Sequence, residues 1–250
     1  MTDASTLDVF WWVVLPYVAM TVFVVGHVWR WRYDRFGWDC YSTELLERRL
    51  LKWGAPLFHY GAFAAILGHV MGILVPASVT HAIGIPEVVY RWFSAVGGAL
   101  AALVVIVGIA ILASRRMLVP RVKATTATID YVALVMLLII VLTGVAPTIG
   151  WNLFGPGYNY RLTVGPWFRG LFTGSPDIGA MTTAPVIYQL HATAAWALWA
   201  VWPFSRLVHA WSFPLWYLWR PFVVYRSRGA IVPPEPGTTG RRWRKIGGPA

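Results

Sequence analysis

Apolar residues in this chain are grouped into five long runs separated by more polar segments. The runs cover residues 9–29, 56–76, 92–113, 129–150 and 185–208. Each is about as long as the roughly 20 residues that an α-helix needs to cross a bilayer. Since backbone groups find no hydrogen-bond partner in hydrocarbon, a run that lies in a membrane must be helical. The pattern predicts an all-α integral membrane protein with five transmembrane helices, which is multi-pass and lies in the cytoplasmic membrane.

The charged residues agree with this prediction and orient the helices. Hydrophobic residues make up 58% of the chain and charged residues only 12%, below the usual share in soluble domains. Eighteen of the 21 Lys and Arg residues follow the first, third or fifth run, and the segments on the other side hold only Arg91, Arg161 and Arg169. The positive-inside rule therefore places the N-terminus outside and the C-terminus in the cytoplasm. The net charge of +11 therefore reflects the topology of the chain in the membrane. Membrane lipid is the expected partner, and nucleic acid is not.

The connecting segments contain fewer chemical candidates. Residues 42–53 have a possible Ser N-cap and apolar positions at helical spacing, which predicts an amphipathic or solvated connecting helix. The long segment 151–184 is predicted to be a loop with a short interfacial helix, positioned to cover a site that opens outward. Residues 1–228 form the predicted membrane domain, and 229–250 are rich in Pro and Gly and predict a flexible tail. Cys40 is alone, so neither a disulfide framework nor a thiolate metal site is expected.

Four histidines within the apolar runs are the main functional candidates, because ionisable groups inside a membrane are costly. His59 and His69 lie in the second run, and His191 and His209 in the fifth. The two runs are antiparallel, so His69 should face His191 near the outer side and His59 should face His209 near the inner side. The first two histidines are about 15 Å apart along a helix and the other two about 27 Å. A kink at Pro203 is expected to absorb part of this difference.

Histidines from facing helices favour haem over other metal centres. Two neutral imidazoles complete the axial positions of the iron, and a six-coordinate haem transfers electrons. Zinc or copper would need a third or fourth ligand at the same depth. Two such centres predict a transmembrane electron path whose donor is a membrane quinol. The quinol is expected near Gly68, His69 and Arg91 on the outer side.

Four stretches of the sequence resemble the gamma (cytochrome b) subunit of membrane-bound respiratory nitrate reductase. These stretches are GHVWRWRYDRFGW, PLFHYGAFAAILGHVMGILVP, PRVKATTATID and LHATAAWALWAVWPFSRLVHAWSFPLWYL. The resemblance covers most of residues 9–228. It implies a five-helix subunit that carries two b haems, oxidises menaquinol or ubiquinol near the outer face, and passes electrons to an iron–sulfur beta subunit. That subunit would supply the molybdenum alpha subunit, where nitrate is reduced.

The resemblance also implies roles for individual residues. His69 and His191 would ligate the distal haem, and His59 and His209 the proximal haem. Basic side chains at two further positions would contact the haem propionates, namely Arg116 and Arg206. A lysine that is implicated in quinol binding in the family is replaced here by Val89, and Arg91 is the substitute cation that this sequence offers.

Other functions share some of these sequence features. The cytochrome b subunits of heterodisulfide-reductase-like and sulfite-reductase-associated complexes share the helix arrangement. A transporter of haem or a metal ion, or a passive membrane anchor with structural histidines, belongs to a different class. The sequence has no inverted repeat and no acid at the midplane of a run, which argues against a transporter.

Overall fold

Helices joined by turns make up the chain in the computed structural model, which describes residues 5–34, 38 and 42–211. Within those residues there is no β-strand. The predicted tail 229–250, the domain boundary at 228 and Cys40 lie outside the described residues. We number the helices α1 (Thr6–Tyr33), α2 (Leu51–Leu74), α3 (Ala77–Ala82), α4 (Glu87–Leu118), α5 (Pro120–Ala124), α6 (Thr128–Leu153), α7 (Val164–Thr173), α8 (Ile178–Thr182) and α9 (Val186–Val201).

Four of these helices are long and apolar enough to cross a membrane, namely α1, α2, α4 and α6. They coincide with the first four apolar runs, and each extends beyond its run at one end or both. The all-helical prediction is therefore confirmed for the described residues, and a membrane protein is the class that this architecture fits.

The fifth run departs from the prediction of one continuous helix over 185–208. The α-helix ends at Val201 and is followed by two short 3-10 segments, Trp202–Phe204 and Arg206–Ala210. Ser205 between them is extended, with φ −110° and ψ 177°. Pro203 is the physical reason, because proline lacks the N–H that an α-helix needs and its ring clashes with the preceding turn. The sequence predicted a kink at this residue, but the α-helix stops altogether.

Helices α2 and α4 pack closely along their length through glycines. A β-carbon at Gly61 would lie 2.7 Å from the Val105 side chain and 2.8 Å from its backbone nitrogen. A β-carbon at Gly108 would overlap the backbone of Phe58 in the same way. Small residues allow helix backbones to approach each other closely. This close packing matters in a membrane, because lipid supplies no hydrophobic driving force between helices. The helix that bears His59 and His69 is thereby fixed against α4.

Residues 42–50 form turns instead of the helix predicted over 42–53. The guanidinium of Arg115, at the end of α4, donates to the Glu47 carboxylate at 2.7 Å and to the carbonyls of Thr43 and Glu47 at 2.8 Å each. Burial would raise the pKa of Glu47, but hydrogen bonds from the Leu50 N–H and from Arg115 outweigh it and hold that pKa below its usual value. The Thr43 carbonyl still accepts the Leu46 and Glu47 N–H groups. Arg115, however, binds the Glu47 carbonyl and the Glu47 carboxylate accepts the Leu50 N–H, so the segment turns and does not continue as a helix.

The segment 151–184 contains two helices, α7 and α8, where the sequence predicted a loop with one short helix. Trp167 of α7 is buried, and its indole N–H donates to the Trp12 carbonyl of α1 at 2.8 Å. Nearby, buried Arg161 contacts Glu87 at 3.3 Å and stacks over the Tyr90 ring at 3.8 Å. Packing against α1, α2 and α4 thus fixes the segment in place.

Candidate functional site

The structure brings the four histidines together as two pairs. The ring centres of His69 and His191 are 5.8 Å apart, and those of His59 and His209 are 5.9 Å apart. Helix α2 and the segment that begins with α9 therefore run in opposite directions. The α-helix ends at Val201, between His191 and His209, so the roughly 27 Å expected for a continuous helix does not apply to these two residues.

The Nδ1 atom of each of these histidines lies beside an oxygen that accepts a hydrogen bond. His59 and His69 donate to the carbonyls four residues earlier, on Ala55 and Ala65, at 2.7 Å each. His209 donates to the Arg206 carbonyl at 2.6 Å. A carbonyl can only accept, so the proton of each neutral ring is on Nδ1 and the Nε2 lone pair is available for a metal. Such a partner on the second nitrogen is typical of histidine ligands.

His191 has its partner on a different helix. Its Nδ1 lies 3.2 Å from the hydroxyl of Thr143 on α6. That hydroxyl is 2.8 Å from the Ile139 carbonyl, to which it donates, so His191 supplies the proton of the other bond. A β-carbon at Gly144 would lie 2.9 Å from the His191 ring. No functional residue was predicted in this part of α6, although Thr143 and Gly144 interrupt a stretch of aliphatic residues there and were a signal for one.

Two arginines predicted to contact haem propionates meet at one carboxylate. Arg116 at the end of α4 lies 3.2 Å from Asp130, and Arg206 lies 2.9 Å from the other oxygen of the same carboxylate. Asp130 also accepts the Ala127 N–H at 3.2 Å and thereby caps α6. Arg206 and Asp130 are distant in sequence, so no local pattern predicts their contact. The group carries a net charge of +1, and it joins α4 and α6 to the segment that bears His209.

The residues predicted to bind quinol lie at the other end of the molecule. Gly68 is exposed beside His69, and a β-carbon there would meet nothing within 4 Å. Arg91 and Val89 are exposed in the first turns of α4. The Arg91 guanidinium lies against Gly157, where a β-carbon would be 2.8 Å from it. A quinol site formed by these residues stays a prediction.

The donor set fits haem better than a small metal ion. A metal at about 2 Å from one nitrogen of each ring would fill the gap between two imidazoles whose centres are 5.8 or 5.9 Å apart. Within residues 5–34, 38 and 42–211, no group of three or more His, Cys, Asp or Glu side chains could hold a metal ion. The remaining ligands of a metal at either pair would thus have to come with it, as the four nitrogens of a porphyrin do.

Comparisons with known proteins identify the family of this chain. Residues 8–228 match the family described as nitrate reductase gamma subunit. The nitrate reductase gamma chain of Bacillus subtilis is 41% identical over 217 residues, which are 87% of this chain and 97% of that protein. The respiratory nitrate reductase 2 gamma chain of Escherichia coli is 30% identical over 225 residues, 89% of this chain and 98% of that protein.

A further relative is longer than this chain. The nitrate reductase-like protein NarX of Mycobacterium tuberculosis is 41% identical over 230 residues, which are 92% of this chain. The chain spans about a third (35%) of the length of that protein. The family match and the two full-length gamma chains lead to the same assignment, and this chain belongs to the nitrate reductase gamma subunit family.

Proposed function

We propose that this chain is the quinol-oxidising cytochrome b subunit of a membrane-bound respiratory nitrate reductase. The observation that carries the proposal is the arrangement of two histidine pairs, about 6 Å between ring centres in each, with all four Nδ1 atoms beside acceptor oxygens. Membership of the nitrate reductase gamma subunit family supports the assignment to this complex. The proposed domain is residues 1–228, with the N-terminus outside and the C-terminus in the cytoplasm.

The side chains have separate tasks in this proposal. His69 and His191 would hold an outer b-type haem, and His59 and His209 would hold an inner one. Haems bound there would supply one-electron transfer across the membrane. Arg116 and Arg206 keep positive charge beside the inner pair, suited to haem propionates, while Asp130 holds both in place. Glycines such as Gly61 let α2 lie close to α4, which keeps each histidine at a constant depth.

The substrate is a membrane quinol, menaquinol or ubiquinol, that enters near the outer pair. Its oxidation to quinone releases two electrons and two protons. Gly68 leaves open space beside His69, and the Arg91 guanidinium supplies a cation near the outer end of α4. The electrons leave on the cytoplasmic side to an iron–sulfur beta subunit and a molybdenum alpha subunit, which reduces nitrate. Protons released outside and electrons delivered inside would together move charge across the membrane.

Reduction by quinol in native membranes tests this function. Dithionite-reduced minus oxidised spectra of the full complex should show two b-type signals, and menaquinol or ubiquinol should reduce both. His69→Ala should remove one signal and stop quinol oxidation, because alanine cannot ligate iron. His81→Ala is the matched control: His81 is exposed near the same side and contacts Glu87, so the variant should keep both signals.

The outcome separates the proposal from its alternatives. A colourless protein would point to a transporter or a passive anchor and would contradict the proposal. Two haems that are reduced by quinol but deliver no electrons to nitrate would indicate a different partner complex, such as one related to heterodisulfide or sulfite reductases.

A further inference from the structure

The break between α9 and His209 leaves backbone carbonyls that an α-helix would have used. A helix that stops has carbonyls without intrahelical partners, and in a membrane each of them needs another donor. Arg30 of α1 meets this need: one terminal nitrogen of its guanidinium donates to the Pro203 carbonyl at 2.8 Å and to the Ser205 carbonyl at 2.9 Å. A single side chain from another helix therefore bridges the break.

The same face of α1 also accommodates the proline. Gly26 lies four residues before Arg30, which is one helical turn, so both residues face the same neighbour. A β-carbon at Gly26 would lie 2.8 Å from Cβ and 2.9 Å from Cγ of Pro203. Pro203 and Ser205 are themselves buried. Gly26 and Arg30 thus form one socket: the glycine makes room for the Pro203 ring, and the guanidinium binds the carbonyls of Pro203 and Ser205.

The socket fixes the turn on which His209 is carried. Ser205 starts the 3-10 segment Arg206–Ala210 and caps it, since its hydroxyl accepts the Leu207 N–H at 3.2 Å. The Arg206 carbonyl in this segment accepts the proton of His209 Nδ1 at 2.6 Å. Displacement of Ser205 would therefore move both the backbone of His209 and the oxygen that orients its ring. His191, by contrast, lies inside the regular helix α9, and its Nδ1 is beside the hydroxyl of Thr143 on α6.

We infer that Arg30 and Gly26 are positioning residues for the inner pair, which hold His209 opposite His59 and have no such role at the outer pair. This inference rests on the proposed function, because the inner pair is read there as the ligand set of one haem. Arg30 acts through the backbone of the turn. The cationic side chain of Arg30 and the space beside Gly26 are two separate requirements for the same position of His209.

The test compares the two haem signals in membranes that contain the full complex. His59→Ala and His69→Ala first identify which b-type signal belongs to each pair. Arg30→Met removes the donor and keeps the length of the side chain. We expect about tenfold or greater loss of the inner signal, the scale on which partners of ligating residues act, while the outer signal is unchanged. Arg30→Lys, which keeps a donor, should restore part of the inner signal.

Two further variants keep the test decisive. Gly26→Ala should reduce or shift the inner signal alone, because its β-carbon collides with Pro203. Gly97→Ala is the matched control, since Gly97 lies in the helical α4 and a β-carbon there meets nothing within 4 Å. Arg32→Met controls for the loss of a cationic side chain on the same helix.

The results have distinct meanings. Equal loss of both signals in Arg30→Met and Gly26→Ala, or no change in either variant, would overturn the inference, because these residues would then support the whole fold or nothing at the inner pair. A wild-type protein without haem would instead overturn the proposed function on which the inference rests. Two haem signals in the wild-type protein, together with selective loss of the inner signal in the Arg30 and Gly26 variants, would support both the proposed function and the inference.

Discussion

The outer and inner histidine pairs have nearly the same ring separation, 5.8 and 5.9 Å, but they are built differently. In the outer pair, His69 ends the regular part of α2 and His191 lies within α9, where a threonine and a glycine of α6 contact its ring. In the inner pair, only His59 lies on a regular helix, and His209 follows a break in the fifth run. The outer pair depends on helix packing, and the inner pair depends on side chains that hold a turn.

The largest expected effect comes from filling the space beside His191. In Gly144→Leu, a branched side chain would occupy the volume of the His191 ring, because even a β-carbon would be 2.9 Å from it. We expect the outer haem signal to disappear and the inner one to remain. Difference spectra of membranes measure this directly, and Gly97→Leu, at a position with open space, is the control. Loss of the inner signal alone would contradict the comparison between the two pairs.

A smaller effect is expected at the carboxylate that anchors the inner turn. In Asp130→Asn, the charge-assisted contact with Arg206 at 2.9 Å is weakened. The hydrogen bond that Arg116 donates to the same carboxylate at 3.2 Å also loses its charge assistance, and weakening of these contacts costs about 2 kcal/mol, or roughly thirtyfold in retention of the inner haem. The ratio of inner to outer signal during titration with a haem-binding competitor would measure it. Asp177→Asn removes a helix-capping acid in the outer segment and should leave the ratio unchanged.

These two regions also differ in how far the sequence could predict them. Helical rise and antiparallel direction were enough to place His69 opposite His191, since both lie on regular helices. The antiparallel direction also paired His59 with His209, but helical rise gave about 27 Å between His191 and His209 against about 15 Å for their partners. That discrepancy arose because the arithmetic assumed a continuous α-helix, which in fact stops at Val201. The carbonyl partners that make the break possible come from Arg30, which is more than 170 residues away in sequence.

Segment 42–50 fails as a prediction for the same physical reason. Its helical spacing of leucines was a local signal, but the buried guanidinium of Arg115 takes the carbonyl of Glu47, and the Glu47 carboxylate accepts the Leu50 N–H. Local periodicity predicts a helix correctly where the segment's own backbone hydrogen bonds are more favourable than bonds to other parts of the protein. Where a buried cation competes for the carbonyls, a tertiary contact decides, and a single sequence contains no direct signal for it.

The smallest expected effect is at the hydroxyl beside His191. Thr143→Ala removes the acceptor that lies 3.2 Å from Nδ1, which is one neutral hydrogen bond worth about 1 kcal/mol. Retention of the outer haem should fall roughly fivefold, and Thr143→Ser, which keeps the hydroxyl, should restore it. The inner signal is the internal reference, since His209 takes its acceptor from its own chain segment at Arg206. If serine and alanine have the same effect, the methyl group and not the hydroxyl orients the ring, and the outer pair is held by packing alone.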